Sequence, residues 1–141
     1  MRALGRRLAR LVPPGRVIGL CGPLGAGKTV LTQGIAAGLG LDARQVTSPS
    51  FALCRVHPGR TPLVHIDLYR LANEADAHDA GLLEWIDDPG DALVVVEWFE
   101  RLGREGADLR VRISFARPTG RRVRITGTPG RVDAAALRRN G

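Results

Sequence analysis

The stretch Gly22-Pro23-Leu24-Gly25-Ala26-Gly27-Lys28-Thr29 reads GxxxxGKT, the pattern of a phosphate-binding loop. It constrains the fold more than any other part of the chain, because the pattern works only between a strand and a helix. Its glycines let backbone N–H groups turn inward around an anion. The helix that starts there aims the positive end of its dipole at the same place. In such a loop the lysine meets the β- and γ-phosphates and the hydroxyl ligates Mg²⁺. The competing reading is a glycine-rich turn that matches by accident, since the chain holds 18 glycines. However, Lys28 is the sole lysine among 21 Lys and Arg, and it falls where the pattern needs it. The flanks agree. Arg16-Val17-Ile18-Gly19-Leu20-Cys21 reads as a short buried strand, and beyond the loop Leu31, Ile35 and Leu39 recur with a helical period.

A length of 141 residues suggests one domain, short for a nucleotide enzyme with a lid or a second substrate domain. The 44% apolar and 25% charged content is ordinary for a globular chain. No apolar run approaches the ~18 residues that a membrane span needs. The net charge of +7 permits contact with nucleic acid or an acidic protein, and equally an arginine-rich solvated surface. Cys21 and Cys54 have no metal-ligand spacing and read as reduced thiols of a cytoplasmic protein. Residues 1–12 carry arginines and no acid, as a transit peptide does. Leu4, Leu8 and Leu11 at helical spacing favour instead an amphipathic helix within residues 1–14, lying on the sheet.

Pro13-Pro14-Gly15 ends that helix, and Gly38-Leu39-Gly40 stops the helix after the loop. Val46-Thr47-Ser48-Pro49-Ser50-Phe51 is rich in hydroxyls and held extended by its proline. It is either a switch folding over the γ-phosphate or a plain loop. Residues 52–56 and 63–67 predict two strands joined at His57-Pro58-Gly59-Arg60. Alternation puts His65, Asp67 and Tyr69 on one face. There Asp67 either positions a metal or water or caps the next helix. Asn73 is a candidate N-cap, and residues 81–86 form a short helix or turn. The apolar run 92–96 ends in Glu97, the logic of a buried parallel strand that brings a carboxylate to the metal end of the loop. Residues 109–115 and 122–126 alternate strictly about a turn at 117–121, an antiparallel hairpin with one buried face. Its other face carries Arg110, Arg112, Arg122 and Arg124, either a surface for RNA or an acidic partner or a solvated face. The predicted fold is α/β. It is one P-loop NTPase domain over residues 1–141, with a mostly parallel central sheet flanked by helices. The C-terminal hairpin extends the sheet, and a helix and tail close the chain over 128–141.

The ordered set LGAGKT, TSPSF, HIDLYRL, GLLEW and VVVEW, over about residues 4–125, resembles the TsaE family. These are small P-loop ATPases of tRNA threonylcarbamoyladenosine biosynthesis. The resemblance implies that Gly22, Gly25, Ala26, Gly27, Lys28 and Thr29 bind the phosphates of ATP, and that Thr29 and Glu97 hold Mg²⁺. Lys28, Asp67 and Ser50 are the implied catalytic residues, with Asp67 on the metal or water side and Ser50 at the switch. Arg121, within Gly120-Arg121-Arg122, is expected near the nucleotide, and Trp98 follows the acid as in the family. The chain departs from the family in having Ser at Ser50, Pro23 where an acid is common, Phe99 where Pro is common, and a short N-terminus. The implied partner is a TsaB–TsaD complex, in which TsaD transfers threonylcarbamoyl to the adenosine beside the anticodon. Whether tRNA touches this chain itself stays open, and the free chain is expected to be a monomer. Arg70 is the best candidate for an arginine finger within the chain. Two rivals stand beside this reading. A P-loop kinase of small molecules needs an arginine-bearing lid between late helices, where this chain predicts strands. The other is a nucleotide-gated binding module with negligible turnover.

Overall fold

The computed structural model describes residues 1–48, 52–128, 132 and 135–136. The helices are α1 (Arg2–Leu11), α2 (Lys28–Gly38), α3 (Glu74–Asp79) and α4 (Leu83–Asp87). The strands are β1 (Arg16–Cys21), β2 (Cys54–His57), β3 (Leu63–Asp67), β4 (Leu93–Glu97), β5 (Leu109–Ala116) and β6 (Gly120–Gly127). Short 3-10 turns lie at Ala43–Gln45 and Phe99–Leu102. One six-stranded sheet runs β2-β3-β4-β1-β5-β6. Strands β3, β4, β1 and β5 are parallel, while β2 and β6 pair antiparallel at the two edges. The single α/β domain and the hairpin that extends its sheet are as the sequence predicts.

The apolar run at β4 is continuous because both faces of the sheet are covered. Leu93 and Val95 join Leu31, Ile35 and Leu8 on the α1–α2 side. Val94 and Val96 join Ala77, Ile86 and Phe99 on the α3–α4 side. The ring of Phe99 lies against Gly19 of β1, where a Cβ would come within 2.7 Å of it. That contact seats the turn after β4 on the central strand, next to the loop that follows β1.

Three expectations are corrected in detail. Helix α1 rests chiefly on α2 rather than on the sheet. Its stripe is Gly5, Leu8 and Val12, all buried, while Leu11 is exposed. The two helices approach so closely because glycine faces glycine: a Cβ on Gly5 would lie 2.4 Å from the Leu31 carbonyl, and one on Gly34 would lie 2.3 Å from the Arg2 carbonyl. The first strand of the 52–67 hairpin begins at Cys54, after Leu53 in a left-handed conformation (φ 63°). The arginine row is shorter than predicted. Arg112 and Arg124 face each other across β5 and β6, but Arg110 is half-buried with its guanidinium 5.1 Å from the Phe99 ring. The helix expected at the C-terminus falls mostly outside the described residues.

The α1–α2 contact gives a prediction whose sign opposes helix propensity. Alanine for glycine inside a helix ordinarily adds about 1 kcal/mol of stability. At Gly34 the added methyl meets backbone, so overpacking of about 1–3 kcal/mol should win. Thermal unfolding of Gly34→Ala should show a Tm lowered by several degrees.

Candidate functional site

A cleft of about 290 Å³ opens at the C-terminal ends of β1, β3 and β4. In an open α/β sheet this is the edge where ligands bind. Its floor is the loop 22–29. Gly25 (φ 78°) and Gly27 (φ 114°) take left-handed conformations that a side chain would strain, and Gly27 is the N-cap of α2. Nothing lies within 4 Å of where a Cβ on Gly25 would be, so the backbone there is open to a ligand. A helix N-terminus, exposed backbone at a glycine and a lysine side chain together suit a polyphosphate.

Lys28 is only 5% exposed. Its Nζ donates to the Gly22 carbonyl (2.6 Å) and the Pro23 carbonyl (2.9 Å), and lies 4.0 Å from the centre of the Trp98 ring. Burial holds its pKa below the usual lysine range, while Glu100, Glu97 and Asp67 push it back up. The ammonium is therefore held by its own loop and by an aromatic face. An anionic ligand would have to draw it away from both.

Two carboxylates stand side by side on the opposite wall, because β3 and β4 pair Asp67 with Glu97 in register. Thr29 Oγ1 donates to Glu97, with both carboxylate oxygens in range at 3.0 and 3.2 Å. Glu97 also meets His65 Nε2 at 2.5 Å. Asp67 accepts the Ser48 hydroxyl at 2.6 Å and the Tyr69 N–H at 2.9 Å. Asp67 faces the cleft and accepts from the turn that follows its strand; it is not the cap of the next helix, because Asn73 caps α3 through the Asp76 N–H. Tyr69 and Trp98 close the outer wall, their ring centres 5.2 Å apart. A hydroxyl and two carboxylates beside a phosphate loop form a hard oxygen donor set suited to Mg²⁺, which keeps waters and phosphate oxygens among its ligands.

Lys28, Thr29, Asp67, Glu97, Gly25 and Gly27 all border the cleft. Gly22 and Ala26 act differently. The Gly22 N–H is taken by Glu100 Oε2 at 3.0 Å, and its carbonyl serves Lys28. The Ala26 N–H bonds to the Pro23 carbonyl, and Ala26 is 1% exposed. These two residues shape the loop here rather than face the cleft. Arg121 reaches the loop from β6, its Nε 3.2 Å from the Ala26 carbonyl and its Nη2 3.5 Å from that of Gly25. Its guanidinium also stacks over Phe115 at 4.6 Å. Ser50 lies outside the described residues. Ser48, two residues earlier in the same hydroxyl-rich segment, is the one seen on Asp67. Sequence reasoning missed the Lys28–Trp98 and Glu100–Gly22 contacts. Both depend on the turn of the chain at Trp98, a non-glycine residue with φ 59°, which no pattern announces.

Three comparisons bear on this site. The family described as threonylcarbamoyl adenosine biosynthesis protein TsaE matches residues 1–124. A tRNA threonylcarbamoyladenosine biosynthesis protein TsaE from Streptomyces coelicolor is 43% identical over 136 residues, covering 90% of each chain. One from Bacillus subtilis is 36% identical over 128 residues, covering 90% of this chain and 78% of that one. The crystal structure of Bacillus subtilis YdiB superposes with a TM-score of 0.75 at 32% identity, covering 99% of this chain and 87% of that one.

The contact between Lys28 and Trp98 can be read optically. With Trp85→Phe leaving Trp98 as the sole tryptophan, tripolyphosphate should change the emission as the ammonium leaves the ring. Saturating binding by calorimetry with unchanged emission would contradict this geometry.

Proposed function

The chain belongs to the TsaE family of tRNA threonylcarbamoyladenosine biosynthesis, and from that premise we propose that it is the Mg²⁺-dependent ATPase of this machinery. On this reading its hydrolysis of ATP drives the cycle of a TsaB–TsaD complex in the cytoplasm. The observation that carries it is the meeting of Thr29 and Glu97 at 3.0 Å beside the buried Lys28.

Each residue has a share. The backbone around Gly25 and Gly27 and the start of α2 receive the phosphates of ATP. Lys28 leaves its carbonyls and balances charge on the β- and γ-phosphates. Thr29 and Glu97 would hold Mg²⁺, which neutralises charge that builds on the transferring phosphoryl group. Asp67, fixed from Ser48 and from the Tyr69 N–H, keeps lone pairs free to orient the attacking water. Ser50 is assigned to the switch position of the hydroxyl-rich segment. Arg121 steadies the loop through the Ala26 and Gly25 carbonyls.

Slow turnover by the chain alone follows from the charges. Among the described residues lining the cleft, the one cation is Lys28. Arg121 is turned onto loop carbonyls, and Arg101 lies 5.2 Å from the Trp98 ring. A partner that brings a cation to the cleft mouth would complete the site.

The direct test is steady-state hydrolysis with Mg²⁺ and ATP. Glu97→Ala should lower turnover by about an order of magnitude or more; unchanged turnover would remove Glu97 from the metal site. Lys28→Ala should abolish turnover. If wild type and Lys28→Ala differ only in partner affinity, with no turnover in either, the chain is a nucleotide-gated binder rather than an enzyme.

A further inference from the structure

His65 is fully buried and two residues before Asp67 on β3. Its Nε2 lies 2.5 Å from Glu97 Oε2. Its Nδ1 has no hydrogen-bond partner among the described residues. A leucine or valine would fill this place between β2 and β4 without leaving a polar atom unpaired, so packing alone does not account for the imidazole. With Glu97 as a carboxylate, which only accepts, the 2.5 Å contact needs a hydrogen on Nε2.

We propose that His65 is a positioning residue for the metal-site acid: its Nε2–H pins Glu97 Oε2 and so presets the carboxylate for Mg²⁺. This rests on the reading of Glu97 as a Mg²⁺ ligand. Glu97 is the last residue of β4, and its side chain is held at two points, by Thr29 from the loop helix and by His65 from the neighbouring strand. Thr29 belongs to the loop that must rearrange around a ligand. His65 belongs to a strand whose residues are all buried, outside that loop. The imidazole is thus the fixed reference for the carboxylate, as partners behind a metal ligand commonly are.

The test compares the wild-type chain, His65→Leu and His65→Gln. Binding of a non-hydrolysable ATP analogue is measured by calorimetry across a Mg²⁺ titration and in EDTA. Affinity in EDTA should be alike in all three, since His65 touches no phosphate-loop group. The Mg²⁺ concentration needed for tight binding should rise about 10- to 100-fold in His65→Leu. His65→Gln, which keeps an N–H donor of similar reach, should recover most of that loss. Equal Mg²⁺ dependence in wild type and a folded His65→Leu would overturn the proposal and leave the ATPase reading standing. No Mg²⁺ dependence in wild type would overturn both. Should His65→Leu fail to fold, ring ¹⁵N spectra of the wild-type chain decide: Nε2–H retained with and without Mg²⁺ and analogue supports the proposal, and an Nε2 without a proton overturns it.

Discussion

Everything at the cleft depends on one register: parallel pairing of β3, β4 and β1 sets Asp67 beside Glu97 and Glu97 beside Leu20. Because the strands run the same way, their C-terminal ends share an edge. The loop that leaves β1 then turns back over the two acids. Thr29, the second residue of α2, reaches Glu97 across that gap. A slip of β4 by one residue would turn Glu97 to the opposite face of the sheet and put Val96 at Thr29. The apolar interiors of β3 and β4, buried on both faces, make such a slip costly. The core therefore does chemical work: it holds a carboxylate at a fixed height above the phosphate loop.

The same edge carries one lysine and two acids in close quarters. Lys28 is buried and held on carbonyls and on Trp98, while Glu97 and Asp67 are satisfied by Thr29, His65, Ser48 and a backbone N–H. The polar groups are thus mostly paired within the protein, and a ligand must exchange partners rather than fill bare charges. Tyr69 and Trp98 sit at the exchange point, next in sequence to the two acids or two beyond them. A change of partner at Lys28 would be felt directly at the aromatic wall of the cleft.

Much of this was legible in the residues. The loop, the helix after it and the strand ending in Glu97 carry strong local patterns, so β1, α2 and β4 lie where the sequence puts them to within a residue. The pairing of His65 with Asp67 on one face followed from alternation. What alternation could not say is that His65 meets the acid of the adjacent strand, because register is a tertiary property. The seat of α1 was missed for a similar reason. Leucine spacing marked an apolar face, but Gly5 and Gly34, which decide what that face touches, read as ordinary glycines until the two helices are seen together. The conformation of Trp98 was invisible as well, since a left-handed tryptophan has no sequence signal and is held by Phe99 on Gly19.

We propose that the cleft binds ATP unaided and turns it over efficiently only when a partner completes it. The most direct measurement is ATP hydrolysis by the purified chain before and after adding a TsaB–TsaD complex, with Lys28→Ala as the control. The account predicts slow hydrolysis alone and strong stimulation by the complex, absent in the variant. Fast hydrolysis alone with no response to the complex would contradict it.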